Sequence, residues 1–329
     1  SSGMKVHASP RNFNNDWGMP LTVLSCPDDA QALVVELGAR GPGEIARLCR
    51  IARPHVGVIT GIGTSHIEFF GSREGIARSK SELLACLPAD GLAVVPAADD
   101  FLDVLAESTP ARVATVGPGG HVGAERVDLD ESGHAVAVLR AGPGVKVQVR
   151  LPLPGRPLVR NAAMAVRVAM ELGVGAEEAA AGIAGAKPTG WRMETTQFGG
   201  RTIVNDAYNA SPASTSAGLR TVAEISRGRP MWAVLGEMAE LGDTAPFEHL
   251  RMGRLAADLG YERVVAVGAG AAEIATGAGS RATRAQDAAE AAELVARESP
   301  PDAVVLVKGS LVAGLGILPS LLHKVGVGG

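Results

Sequence analysis

The chain has 329 residues, 46% hydrophobic, 20% charged and 3% aromatic, and 31 basic against 35 acidic side chains leave a net charge of −4. At about 150 residues per domain this length predicts two domains, each able to bury its own core without disulfides. No apolar run reaches the ~18 residues of a bilayer span, no basic run marks a nucleic-acid binder, and Cys26, Cys49 and Cys86 form neither a CxxC pair nor an even disulfide framework. The start, Ser1-Ser2-Gly3-Met4, lacks a basic region followed by an apolar core and reads as a vector scar or a cut end. A reducing cytoplasm and a monomer are the expectation.

In chain order, short apolar, β-branched runs at Ala32–Leu37, Val56–Thr60, Leu92–Pro96 and Arg112–Val116 alternate with helical stretches. The rhythm resumes at Thr202–Val204, Trp232–Leu235, Val264–Val267 and Val304–Val307. It predicts an α/β protein of two doubly wound units, parallel sheets with helices on both faces. Val122–Leu153 departs from it: strand-like alternation in Ala135–Leu139 and Val145–Leu151 is split by Ala141-Gly142-Pro143-Gly144, which reads as an antiparallel insert. Helices at about Arg160–Leu172 and at Ala176–Ala184 close the first unit. Lys187-Pro188-Thr189-Gly190 is the predicted linker, dividing the chain into domains 4–188 and 189–329, the second a smaller, Rossmann-like sheet of four or five strands. The Ala-rich stretch Ala285–Ala296 reads as a small-residue helix face, and Val267-Gly268-Ala269-Gly270 is only half of a dinucleotide fingerprint.

Three polar residues in the first unit sit awkwardly. Glu36 ends a run that should be a strand buried on both faces; it is either a ligand contact at the carboxyl edge, where open α/β sheets bind, or an exposed strand end paired with Arg40. His66 follows Val56–Thr60 through Gly61-Ile62-Gly63-Thr64-Ser65 and is placed at the same edge, as a structural or a functional histidine. Lys80 lies four residues from both Ile76 and Leu84, on the apolar stripe of Glu74–Leu87. Its ammonium either snorkels outward or is a buried amine open to modification, and carbamylation by CO2 would make it an oxygen ligand for Mg2+. All three are expected to converge on one cleft.

In the second unit Asn205-Asp206-Ala207-Tyr208-Asn209-Ala210-Ser211-Pro212 follows a strand and opens a helix, with Ser211 suited to N-cap and Pro212 to N1. It reads either as a capped turn or as a place for a nucleotide or acidic group at a helix N-terminus.

These stretches resemble the Mur ligases. The resemblance runs from about His7 to Leu322 and rests on Asn12-Phe13-Asn14-Asn15-Asp16-Trp17-Gly18-Met19-Pro20-Leu21, Glu36-Leu37-Gly38-Ala39-Arg40-Gly41-Pro42-Gly43-Glu44-Ile45, and Ser65-His66-Ile67-Glu68 with Lys80 fourteen residues after the histidine. Asn205–Pro212, Leu235-Gly236-Glu237-Met238-Ala239-Glu240-Leu241-Gly242 and Val307-Lys308-Gly309-Ser310 continue it. Within the family it is strongest to members that attach D-alanyl-D-alanine (D-Ala-D-Ala) to UDP-MurNAc-tripeptide. The resemblance implies ATP and Mg2+ as cofactors and Glu36, His66 and Lys80 as catalytic and metal-binding residues, Lys80 as its carbamate. Asn161, Arg192 and Asp206, with Tyr208 and Asn209, are implied for the nucleotide, and Asn15, Lys308 and Ser310 for the substrates. The implied reaction is attack of a carboxylate on the γ-phosphate of ATP, then capture of the acyl phosphate by an amine, with the second unit closing as a rigid body to exclude water.

The departures are specific. The family's phosphate loop, of the GxxGK[ST] kind, has no counterpart anywhere in the chain, and neither does its N-terminal UDP-binding domain. Pro157-Leu158 replaces the His-Asn expected before Asn161, and Leu311 stands where many relatives have arginine. ATP binding by this chain is therefore expected to be weak. A ligase for a non-peptidoglycan carboxylate, and a non-catalytic binding protein on the same fold, are the alternatives.

Overall fold

A computed structural model of the chain describes residues 3–10, 12–64, 67–187 and 190–327. They form two compact units, Ser1–Asp128 with Ala135–Pro152 and Leu158–Lys187, and Leu129–His134 with Leu153–Pro157 and Pro188–Gly329. Pro188 and Thr189 of the expected linker lie outside the described residues.

The first unit opens with β1 (Val6–Ala8), α1 (Gly18–Leu24), β2 (Ala32–Val34) and α2 (Glu44–Ala52). It continues through β3 (Val56–Val58), α3 (Ile67–Phe70), α4 (Arg73–Ala85), β4 (Leu92–Pro96), α5 (Leu102–Glu107) and β5 (Arg112–Val116). Two parallel sheets result, β1–β2 and β3–β4–β5, with Val56 and Arg112 both in register with Leu92. β4 is central and every one of its residues is buried, as a parallel strand covered on both faces should be. The run at Ala32–Leu37 behaves otherwise. Its strand stops at Val34, which is 54% exposed, and Glu36 lies exposed beyond it; among the described residues β2 pairs with β1 alone, and only as far as Val34.

The insert is the expected meander, β6 (Gly123–Leu129), β7 (His134–Gly142) and β8 (Val145–Pro154), in the order β6-β7-β8. Every second residue of β7 is buried, and the two-residue connection to β8 permits only an antiparallel pair. α6 (Val159–Glu171) and α7 (Ala176–Ala184) follow at the expected places.

The second unit contains β9 (Glu194–Phe198), β10 (Arg201–Asn205), α8 (Pro212–Ile225), β11 (Met231–Leu235), α9 (Ala245–Asp258), β12 (Arg263–Val267), α10 (Ala272–Ala278), β13 (Ala282–Ala285), α11 (Ala288–Glu298), β14 (Val304–Lys308) and α12 (Leu318–Val327). The strand order is β13-β12-β11-β14-β10-β9, parallel except for β9. Six strands stand where four or five were expected, because β9 pairs with β10 as a hairpin turned at Gly199 and Gly200, both at positive φ. α8 starts at the expected cap: Ser211 and Ser214 form a capping box, and Pro212 occupies N1.

One face of this sheet is covered by α8, α9 and α10 through Leu219, Val222, Ala256 and Ile274. The other is covered by α11 and α12 through Ala291, Val295, Leu318 and Leu322. Each buried Leu, Val or Ile contributes about 1.5–3 kcal/mol relative to exposure. Helices lie on opposite faces because the chain steps outward from β11 to β13 and then returns to place β14 between β11 and β10.

Candidate functional site

In the first unit the polar machinery gathers at the carboxyl end of β3. Three cations, from two helices, donate to three consecutive carbonyls there: Arg160 Nη2 to Thr60 O at 2.8 Å, Lys80 Nζ to Gly61 O at 3.1 Å and Arg73 Nη2 to Ile62 O at 3.2 Å. From the end of β4, Asp99 Oδ2 accepts the Ile62 N–H at 2.9 Å, and Asp99 Oδ1 accepts the Phe101 N–H at 3.1 Å. Gly61 takes φ +155°, and a Cβ there would lie 3.4 Å from Arg160 Nη2 and 3.8 Å from Asp99 Oδ2. Glycine therefore lets side chains close around a backbone conformation that other residues avoid.

The Lys80 stem lies along the apolar stripe of α4, and its ammonium turns to this loop. Burial lowers its pKa, and the charge of Asp99 opposes the shift. A lysine so placed holds more of the uncharged amine, the form that reacts with CO2. Glu36 is held at the end of β2, where its Oε1 accepts from Asn14 Nδ2 at 3.0 Å. His66 lies outside the described residues. Among those described, no group of three or more His, Cys, Asp or Glu side chains could hold a metal ion.

In the second unit β10 is followed by α8 on one face and β14 by α12 on the other, so the carboxyl ends of these neighbours flank a topological switch point. Asp206, Lys308 and Ser310 all sit there. Lys308 is 2% exposed, and its ammonium donates to Asp206 Oδ2 at 2.6 Å, Asp206 O at 3.1 Å and Asn209 O at 3.0 Å, so all three protons are used. Burial depresses its pKa, Asp206 partly restores it, and Arg192 depresses it further. Asp206 Oδ1 accepts the Met193 N–H at 3.2 Å, and the Arg192 guanidinium stacks 4.3 Å from the centre of the Tyr208 ring.

Ser310 is buried. Its Oγ accepts the Ala239 N–H at 2.8 Å and its N–H reaches Glu237 O at 2.9 Å, which joins the loops after β11 and β14. Asn209 Oδ1 accepts the Ala210 N–H at 2.8 Å. Asn15 Oδ1 accepts the N–H groups of Trp17 and Gly18 at 3.1 and 2.9 Å and so caps the entry to α1. Asn161 is exposed in the first turn of α6.

The structure brings Lys308, expected on the substrate side, together with Asp206 and Asn209, expected at the nucleotide, and it adds Asp99, Arg160, Arg73 and His249, which the sequence reading does not single out. Asp99 follows β4 as Glu36 follows β2, so the same strand-end rule would have found it. His249 is a polar residue on the buried stripe of α9, three before Met252, which is the signal that singled out Lys80. Its Nδ1–H donates to Ala245 O at 2.7 Å and its Nε2 accepts the Met238 N–H at 2.7 Å, so the neutral ring pins the loop after β11 to α9.

Both units thus carry their polar machinery where open α/β sheets bind small ligands, the arrangement of a two-domain α/β small-molecule enzyme. The Mur ligase middle domain matches residues 1–169, and the Mur ligase, glutamate ligase domain matches residues 191–311. The chain is 40% identical, over 97% of its own length and 68% of the relative's, to UDP-N-acetylmuramoyl-tripeptide--D-alanyl-D-alanine ligase of Mycobacterium tuberculosis. The crystal structure of MurF from Acinetobacter baumannii superposes with a TM-score of 0.90 at 33% identity, over 98% of this chain and 71% of that one. MurF ligase from Thermotoga maritima, in complex with ADP, gives 0.87 at 25% identity over 98% and 74%. The chain belongs to the Mur ligase family.

Proposed function

We propose that the protein is an ATP-dependent amide-forming ligase that adds D-Ala-D-Ala to UDP-MurNAc-tripeptide in peptidoglycan synthesis. A carboxylate of the tripeptide attacks the γ-phosphorus of ATP and expels ADP. The amine of D-Ala-D-Ala then adds to the acyl phosphate, and the tetrahedral intermediate releases phosphate and a proton. The observation that carries this reading is Lys80, a half-buried amine of lowered pKa held at the carboxyl edge of β3.

Mg2+, when bound, would neutralise charge on the phosphoryl oxygens. It takes oxygen ligands, which suits Glu36 and a carbamylated Lys80, the described side chains that would hold it, with His66 as the family's third contact. Asn161, Arg192, Asp206, Tyr208 and Asn209 would hold the nucleotide. Asp206 fits the task, since both of its oxygens are fixed by donors and keep lone pairs for ribose hydroxyls. Asn15 and Ser310 belong to the substrate side. Lys308 supports it indirectly, by holding Asp206 and Asn209 in place. The same reading puts the protein in the cytoplasm, as a monomer acting on small molecules; no described helix is long and apolar enough to cross a membrane.

Incubation with ATP, Mg2+, UDP-MurNAc-tripeptide and D-Ala-D-Ala should yield ADP, phosphate and the amide product in equal amounts. Nucleotide binding without any amide would favour the non-catalytic reading.

A further inference from the structure

Two of the three cysteines meet in the first unit, and no role given above uses either of them. α2 leads into β3 and α4 into β4, and these strands are parallel neighbours with Val56 in register with Leu92. The two helices therefore run side by side in the same direction. Cys49 stands seven residues before Val56 and Cys86 six before Leu92, at nearly the same level.

A second contact fixes the alignment. The Glu82 carboxylate on α4 accepts the N–H groups of Gly43 and Ala46, at 2.6 and 3.0 Å, at the start of α2. One turn onward, capping the end of α4, is Cys86, and three residues onward in α2 is Cys49, so the turn that follows this clasp brings the two cysteines together. Cys49 is 3% exposed and Cys86 is at the surface, which presents one sulfur to solvent with the other behind it.

We propose that Cys49 and Cys86 are a redox-reversible dithiol that a small-molecule disulfide such as oxidised glutathione closes to a disulfide tying α2 to α4. The Cys86 thiolate attacks one sulfur of the small disulfide and expels a thiolate. Cys49 then gives up its proton and attacks the Cys86 sulfur, expelling the second thiolate. Two protein thiols are oxidised, one small disulfide is reduced to two thiols, and the thiolates take up the protons released. Burial pushes the Cys49 thiol up to about 12, with Cys86 adding to the shift, so Cys49 stays protonated while the exposed sulfur reacts first. The loop so closed spans residues 50–85 and contains β3, the Gly61 carbonyl and Lys80. Oxidation would clamp the helix that carries Lys80.

The experiment is intact-mass spectrometry of the whole chain carrying Cys26→Ser, treated with oxidised glutathione and mapped by tryptic digestion without reductant. The expected product lacks two hydrogen atoms, regains them with dithiothreitol, and links peptide 48–50 to peptide 81–112. Cys49→Ala should instead hold one stable glutathione on Cys86, and circular dichroism checks that it is folded. A stable glutathione adduct on Cys86 with Cys49 intact, or no reaction while the chain is folded, would overturn the proposal.

Discussion

Replacing Asp206 by Asn keeps the shape of the side chain and removes its charge, so it tests the Lys308 pair in isolation. The Lys308 ammonium is 2% exposed and would then face only neutral acceptors. Breaking a buried pair from one side costs about 3–5 kcal/mol. Because the Asp206 side chain is 15% exposed, some of that charge is already solvated, and about 2–4 kcal/mol is expected. For a unit of this size each kcal/mol moves the melting temperature by about 2–4 °C, so a fall of roughly 5–15 °C should be visible.

The sign with pH follows from the depressed pKa of Lys308. Loss of Asp206 removes the group that raises it, so the folded-state value falls further. Between that value and the ~10.4 of an unfolded lysine the unfolded chain binds more protons, and stability rises with pH. The Asp206→Asn deficit, read from urea unfolding, should therefore be greatest near neutrality and shrink as pH approaches ~10. Adding Lys308→Met, which removes the stranded ammonium, should restore most of the loss. A deficit below about 1 kcal/mol that does not change with pH is what a solvated surface pair gives, and it would refute the buried-pair reasoning.

Three further outcomes are expected. With 13C-bicarbonate, a carbamate signal should appear, grow with pH at fixed dissolved CO2 as the amine fraction of Lys80 rises, and vanish in Lys80→Met; a signal that survives the substitution places the chemistry elsewhere. Calorimetry with ADP should find weaker binding in Asp206→Asn, whose amide cannot accept from donors on both sides as the carboxylate does; an unchanged dissociation constant would remove Asp206 from the nucleotide site. His249→Ala strands the Met238 N–H, and should cost about 1–3 kcal/mol in urea unfolding; no loss would refute the role of the imidazole in pinning the loop after β11.

Much of the fold is legible in the sequence alone, and the reasons differ by element. α7 falls at the predicted Ala176–Ala184, and α8 at its Ser211-Pro212 start, because small apolar periodicity and capping chemistry are local signals. β9 was missed because Glu194-Thr195-Thr196-Gln197-Phe198 is a polar edge strand, mostly exposed, with no buried face to impose alternation. Val35-Glu36-Leu37 reads like strand, yet pairing, not composition, decides where a strand ends, and β2 has a partner only through Val34. At the site, Lys80 betrayed itself by interrupting an apolar stripe. The Arg160 contact to Thr60 spans a hundred residues and has no local signature. Trp191 and Met193 both take positive φ around Arg192, a strain that no sequence pattern announces.

The place of β14 in its sheet has a consequence for how the molecule is made. It is the last of the described strands, yet it lies between β10 and β11 and supplies both with hydrogen-bonding partners. During synthesis β10 to β13 leave the ribosome first and cannot complete their sheet, because the middle position is still empty. The second unit must therefore wait with an open seam until residues 304–308 emerge, and the two strand edges that flank the seam are then exposed to wrong partners. Long-range closure of this kind makes for slow folding. The lysine that ends β14 brings the Asp206 and Asn209 contacts with it, so the same late event completes both the sheet and its polar site.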